Sequence, residues 1–315
     1  MKVSVICLVY NHEPYLRKCL DGFVNQKCNF EYEVLIHDDA STDNSASIIR
    51  EYEEKYPNII KPIYQTENQM SKGVKISSTY IYPIAKGEYI AWCEGDDYWT
   101  SEDKLQRQVD FLDEHPEYIA CIHKYDVINR KGEKVDKITF GYYENEGVYT
   151  LDDFQKYEMP GQLATYVCRN IFTSNLEKYL CFEKAKLPGD MKITLFLLLY
   201  GDIWRLDEKH SVYRHVSEQG GNSWSSRILG DKKRIHRFWN ALRTLEKATK
   251  ENFGRKIKFK NRKNQLAFED IFVDKNVFKI TKKAIYYAFK EPAAIVMIFK
   301  KIFTGQRGST IKKKL

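Results

Sequence analysis

The chain has 315 residues, 43% of them hydrophobic, enough for one large domain with additions or two small ones, and a disordered chain is excluded by composition. The net charge of +8 is uneven: residues 251–315 hold 17 Lys and Arg against 5 Asp and Glu, while the first 250 residues hold 34 against 38, so body and tail face different partners. Seven singly spaced cysteines with no CxxC pair argue against a zinc site and for the reduced thiols of a cytosolic protein.

The first apolar run begins at residue 3, which predicts no signal peptide. VSVICLV (3–9) is β-branched, apolar and short, the pattern of a buried strand. Residues 13–27 follow at helical spacing, with Pro14 in the first turn. YEVLIHD (32–38) is a second strand. Asp43 is placed to cap a helix from Asn44 to Tyr56, with Pro57 just beyond. IIKPIY (59–64) is a third strand, which Pro62 puts at an edge. A helix is expected over 74–86, then a strand in EYIAWC (88–93). Strands alternating with helices imply a parallel sheet with right-handed crossovers, whose ligands bind at the carboxyl ends of the strands.

Those ends carry Tyr10-Asn11, His37-Asp38-Asp39 and Glu94-Gly95-Asp96-Asp97. Caps and turns explain polar residues there in general. They do not explain Asp96 beside Asp97 after a buried strand, because adjacent carboxylates repel and raise each other's pKa unless a cation is present.

After residue 103 the alternation weakens. KLQRQVDFLDEH (104–115) is an amphipathic helix, IACIHKYDVI (119–128) a strand, and residues 129–132 a turn. LPGDMKITLFLLLYG (187–201) is a helix with Asp190 in its first turn, where it reads equally as a cap or as a catalytic carboxylate. Residues 207–224 form a short strand running into a Gly-Gly loop, and from Arg227 the pattern is helical and increasingly basic. The apolar runs 193–201 and 293–299 fall short of the roughly 20 residues of a membrane span.

VSVICLVYN, EVLIHDDASTDNS and GEYIAWCEGDDYW, in this order and spacing, resemble the inverting family 2 glycosyltransferases with the GT-A fold. The ordered match covers roughly residues 1–115; Gly189-Asp190 and SVYRHVSEQGGNSW continue it more thinly. The resemblance implies an α/β fold, a Rossmann-like, mostly parallel central sheet flanked by helices, followed by a C-terminal helical extension. It implies a glycosyltransferase domain over 1–225, with a nucleotide-sugar half (1–115) and an acceptor half (116–225), then a basic amphipathic extension over 226–315.

The resemblance also assigns roles. Tyr10, Asn11 and Asp38 would take the nucleobase of a nucleotide-sugar donor, usually UDP-linked, with Tyr10 available to stack. Asp96 and Asp97 would hold Mn²⁺ or Mg²⁺, whose hard-oxygen preference suits carboxylates and phosphates. Asp96 and Glu94 would lie against the donor; Glu94 stands where the family usually has Asp, and whether it touches ribose or metal stays open. Arg214 would reach the donor diphosphate, and His215 the diphosphate or metal, or else be a plain loop residue. Asp190 would be the general base that deprotonates the acceptor hydroxyl. Two departures stand out. Ala40 replaces the Gly of the family's VDDGST, and SSTY (77–80) replaces its Arg-Asn segment. Trp99 and Trp224 suit either a sugar face or the core.

The acceptor implied is a glycan or lipid-linked saccharide of surface polysaccharide synthesis. Residues 278–303 interleave Lys with Phe, Ile, Tyr and Met, which suits an anionic membrane surface and so a cytoplasmic enzyme peripheral on the inner face of the cell membrane. The alternative for the same lysines is a solvated helix face packed on the domain. A nucleotidyltransferase would want a Gly-rich basic loop after the first strand, and VYNHEPYL offers none. A module binding nucleic acid or membrane accounts for the tail but not for the acidic strand ends, so no nucleic-acid partner is expected.

Overall fold

A computed structural model describes residues 1–135, 146–156, 159–216 and 234–272, and within the tail residues 282, 283, 285–287 and 289. The first half is built as its periodicity predicts. β1 (Val3–Val9) is followed by α1 (Glu13–Val24), β2 (Tyr32–Asp38), α2 (Ser45–Lys55), β3 (Ile60–Tyr64) and β4 (Tyr89–Trp92). β1 lies between β2 and β4, parallel to both, and β3 runs parallel to β2 at the sheet edge, where Pro62 lacks an N–H to donate. One polar pair is buried in this half. Ser4 donates to Glu33 at 2.7 Å and accepts from the Gly87 N–H at 2.8 Å. Gly87 is required there, since a Cβ would stand 2.3 Å from the Ser4 nitrogen.

The second half contains β5 (Tyr98–Trp99), α3 (Lys104–Glu114), β6 (Tyr118–Ile128), β7 (Gly147–Tyr149), α4 (Leu151–Gln155), β8 (Val167–Arg169), α5 (Leu176–Glu183), α6 (Gly189–Leu198) and β9 (Asp202–Arg214), then α7 (Arg234–Phe253) and α8 (Lys260–Phe272). The strand order is β3-β2-β1-β4-β8-β6-β9-β5, with β7 on β9. Beyond β4 the sheet is mixed: β8 is antiparallel to β4 and β6, while β6 and β9 run parallel. α1 and α2 cover one face, packing Leu16, Leu20, Phe23 and Ile49 on Val5, Cys7 and Val34. The other face carries Ile6, Leu35, Ile90 and Trp92 under α5 and α6. Trp239, Leu242, Leu245 and Leu266 of α7 and α8 join that same apolar cluster. The boundary expected near residue 225 lies outside the described residues.

Several elements differ from expectation, each for a physical reason. α1 ends at Val24 because the next residues bind elsewhere: Lys27 N–H donates to Glu102, and the Gln26 amide bonds to the 101–105 backbone. The helix expected over 74–86 shrinks to one π-helical turn, Ser77–Ile81, flanked by turns. Its Ser-Ser-Thr run favours local side-chain bonds over helix propagation, and Pro83 stops it. The strand expected to start at 207 starts at Asp202, recruited by pairing with β6. Trp99 is buried and donates to the Ala164 carbonyl at 3.0 Å, so it is a core residue and presents no face to a sugar. Trp224 and the Gly-Gly loop lie outside the described residues, as does most of 278–303. Within that stretch, Lys283 and Tyr287 both donate to the buried Asp270 carboxylate.

Candidate active site

Two residues with left-handed backbone shape the strand ends. Asn11 has φ +57° and Ala40 φ +59°. Asn tolerates this region; Ala pays for its Cβ there. The Asn11 side chain accepts from the Thr42 N–H at 2.8 Å, and its own N–H donates to Ser41 Oγ at 3.0 Å, so Asn11 ties the end of β1 to the loop after β2. Asp43 finishes this tie. One of its oxygens accepts the Ser45 N–H at the start of α2, and the other accepts the Glu13 N–H at the start of α1. The helix cap position itself falls to Asn44, and Asp43, one residue earlier, instead ties the starts of two helices; those contacts hold its carboxyl below the usual range against the opposing pull of burial.

Alternation along β2 separates the two neighbouring aspartates. Asp38 pairs laterally with Val9 and Tyr64 and faces the α1–α2 side, where it is buried. Asp39 turns to the opposite side and accepts the backbone N–H groups of Gln69 at 2.7 Å and Met70 at 3.1 Å. Tyr10 continues β1 with its side chain 38% exposed. The expectation that Asp38 shares a pocket with Tyr10 is therefore corrected: a period of two hands that face to Asp39.

The acidic loop after β4 packs against the start of α1. A Cβ at Gly95 would meet His12 Nδ1 at 2.8 Å and Val9 at 3.0 Å, which explains Gly inside the Glu-Gly-Asp-Asp run. Asp97 is buried and held on both oxygens: Oδ1 accepts the Arg214 backbone N–H at 2.7 Å, and Oδ2 accepts Gln162 Nε2 at 2.8 Å. Gln162 Oε1 takes the Ala164 N–H at 2.7 Å, which fixes the amide so that its nitrogen points at Asp97. Asp96 is half-buried and, among the described residues, its carboxylate has no hydrogen-bond partner. Burial and then Asp96 push the Asp97 carboxyl well above its ordinary range, against the pull of the Arg214 N–H.

Asp190 comes to this loop from the first turn of α6. It is half-buried, and Oδ1 accepts the Met191 N–H at 2.7 Å. Burial raises its pKa, opposed by that hydrogen bond and by Lys192. Glu94 is exposed at the surface of the loop, yet its carboxyl is pushed up by desolvation from the surrounding chain, then by Asp96 and by Asp190. Four carboxylates from two distant stretches thus share one electrostatic neighbourhood.

Arg214 plays a different part from the one expected. Its Nε donates to the Asp96 carbonyl at 3.0 Å, Nη1 to the Asn129 carbonyl at 3.2 Å, and the guanidinium lies 4.0 Å over the Tyr15 ring. It braces the acidic loop from behind. His215 is half-buried, its backbone N–H donating to Ile128, and burial lowers its pKa. Among the described residues no three His, Cys, Asp or Glu side chains form a preformed metal cage. The donor set nevertheless fits Mg²⁺ or Mn²⁺, which take one or two carboxylates and complete their shells with substrate phosphates and water. Asp96 offers unpaired hard oxygens beside a crowd of like charge that a cation would relieve.

Gln162 carried no sequence signal, because nothing in its local pattern links it to a loop 65 residues away. Asp39 was within reach of strand alternation.

The model of glycosyl transferase family 2 matches residues 4–179, more than half of the chain. An uncharacterized protein of Mycobacterium tuberculosis, Rv1520, is 46% identical over 132 residues, which cover 42% of this chain and 37% of that relative. The match thus spans well under half of that relative's length. A putative teichuronic acid biosynthesis glycosyltransferase of Bacillus subtilis, TuaG, is 29% identical over 250 residues, 78% of this chain and 88% of the relative. Among solved structures, residues 1–349 of Staphylococcus aureus TarS in complex with UDP-GlcNAc share the fold, with a TM-score of 0.57 at 20% identity over 97% of this chain and 92% of that one.

Proposed function

Because the chain belongs to glycosyl transferase family 2, we propose that it moves a sugar from a nucleoside-diphosphate donor, UDP-linked, to a hydroxyl of a growing or lipid-linked surface polysaccharide, with inversion at the anomeric carbon. The observation that carries this reading is the convergence of Asp190 on the acidic loop: Asp190 is near enough to Glu94 to raise its pKa, though 96 positions separate them in sequence. The teichuronic acid relative, matched over most of both chains, supports the polysaccharide acceptor, and the UDP-GlcNAc bound to the TarS neighbour supports the UDP donor.

The residues divide the work. Asp96, and Asp97 behind it, would hold Mg²⁺ or Mn²⁺, which neutralises charge on the departing diphosphate when bound. Gln162 and the Arg214 N–H keep Asp97 in place while it is buried among like charges. Tyr10 offers its exposed ring to the base, and Asp39 accepts from an imide N–H at the base edge. Asp190 takes the proton of the acceptor hydroxyl. Its pKa, raised by burial, makes it a stronger base than an ordinary Asp. An inverting transfer needs this one carboxylate and no second one as nucleophile.

The test is transfer from UDP-sugars to polysaccharide fragments with Mn²⁺ present, the product anomer read by NMR. Inversion is expected, and Asp190→Asn should keep donor affinity while turnover falls by about a hundredfold or more, the usual size of a general-base contribution. The rate carried by Asp190 should fall as pH drops through its raised pKa, since the protonated acid accepts nothing. A retained anomer, or wild-type turnover in Asp190→Asn, overturns the assignment.

A further inference from the structure

His37 is 1% exposed at the carboxyl end of β2, and among the described residues neither ring nitrogen has a hydrogen-bond partner. An unpaired buried donor costs roughly 1–3 kcal/mol, so a fold that keeps one calls for a reason. The surroundings offer one. His37 stands between Leu8 of β1 and Ile63 of β3 in a lateral row across three strands. Both flanking residues are only partly buried, as is Tyr80, whose ring lies over the imidazole at 5.2 Å and 31°. The row lies at the carboxyl ends of the strands, where ligands of such sheets bind.

The Tyr80 ring is linked to Asp39. Tyr80 Oη donates to Gln69 Oε1 at 3.3 Å, and the Gln69 N–H donates to Asp39 Oδ1 at 2.7 Å. Aliphatic side chains, an aromatic ring, one carboxylate and one imidazole are the groups with which a base site would hold a flat heterocycle with polar edges. Burial lowers the His37 pKa, against the pull of Asp39 and Asp38, so the ring is neutral and offers one N–H and one lone pair.

We propose that a base site forms here and that His37 is its specificity-determining residue, donating its ring N–H to a base carbonyl beside the imide N–H that Asp39 accepts, and so selecting uracil over cytosine. The inference rests on the nucleotide-donor reading above. Uracil offers a ring N–H flanked by carbonyls, which pairs with a carboxylate and an imidazole N–H together. Cytosine offers a ring lone pair beside an amine, which sets a lone pair against Asp39 and a donor against a donor. A position of this kind rejects the wrong base through the groups it leaves unpaired.

The experiment is calorimetric titration of wild type, His37→Val and His37→Gln with UDP and with CDP, each with Mn²⁺. Valine suits a buried strand and removes the unpaired nitrogens, so it should fold; glutamine keeps a donor. Wild type should prefer UDP, His37→Val should shrink the UDP-to-CDP ratio about tenfold through weaker UDP binding, and His37→Gln should recover part of it. An unchanged ratio in His37→Val, with wild-type sugar transfer intact, overturns this proposal alone and makes His37 a core residue. Wild type that binds neither nucleotide overturns it together with the donor reading.

Discussion

The two halves of the sheet build the same site by different means. In the first half, β1, β2 and β4 run parallel, so every strand end that carries a polar residue delivers it to one edge. There the side chains are positioned by the strand they sit on. In the second half the contributions come across long stretches of chain: Gln162 reaches Asp97 over 65 positions, and Arg214 reaches it over 117. These residues act as clamps on a loop that the first half presents. The difference separates display from restraint. A parallel sheet displays carboxylates through topology alone, but holding one of them buried among like charges takes donors from elsewhere in the fold.

The seam between the halves is polar where a core would ordinarily be apolar. Lys104 is fully buried at the start of α3, its amine bonded to Gln108 Oε1 at 2.8 Å and set 4.3 Å over the Trp99 ring. The Gln108 amide nitrogen in turn donates to the Cys121 and Thr165 carbonyls. Burial pulls the Lys104 pKa down to about 7. Between that value and the ordinary 10.5 the unfolded chain binds one proton more than the native one, so native stability rises with pH across that window. Relative to Lys104→Met, the wild type should gain about 2 kcal/mol between pH 7.5 and pH 9, from the maximum of about 1.4 kcal/mol per pH unit. Urea unfolding of both proteins at the two pH values checks this. Parallel stability curves would mean that the ring and the amide keep the ammonium charged, and the seam would then be an ion site, not a desolvated amine.

The clamp itself can be loosened. Gln162→Leu leaves Asp97 Oδ2 without its donor in a buried place, while Arg214 still holds the other oxygen. Metal-dependent donor binding should weaken about tenfold, the equivalent of roughly 1.4 kcal/mol, with turnover at saturation little changed. Donor titration with and without EDTA reads the effect. Unchanged affinity would show that the Arg214 N–H suffices and would break the division between a displaying half and a restraining half.

What could be read from the sequence follows the same division. The buried strands of the first half, the edge position of β3 and the gathering of Glu94, Asp96 and Asp97 at strand ends rest on periods of two and of 3.6 that any short window contains. Asp190 was placed in a helix's first turn by the Pro-Gly-Asp run before an apolar stretch, and the structure has it there. Trp99 stayed open because a lone aromatic does not say whether its indole N–H finds a carbonyl, as it does at Ala164. Arg214 was read as a donor ligand because a sequence lists charge and not the carbonyls 85 and 118 positions away that would claim it. The start of β9 at Asp202 depended likewise on pairing with β6, which no local pattern contains.

The smallest expected effect lies within the first half, where the residue itself opposes the turn. Ala40 holds φ +59° directly after Asp39, in a loop fixed from outside by Asn11 and Asp43. An L-residue in this region loses roughly 1–2 kcal/mol to the contact between its Cβ and the backbone. Glycine removes that contact but brings more conformational freedom to the unfolded chain, an offset of about 0.4–1 kcal/mol. Ala40→Gly should therefore stabilise the protein by up to about 1 kcal/mol, a rise of about 2–4 °C in Tm at most for a domain of this size. Donor affinity should stay as in wild type, because the loop's anchors are the Asn11 and Asp43 bonds and neither involves the Ala40 side chain. Thermal unfolding alongside UDP titration separates the two readouts. A fall in Tm would mean the methyl packs favourably enough to outweigh its strain. A gain in stability coupled to weaker UDP binding would mean the strained turn sets the position of Asp39, and display in this half would then depend on more than strand topology.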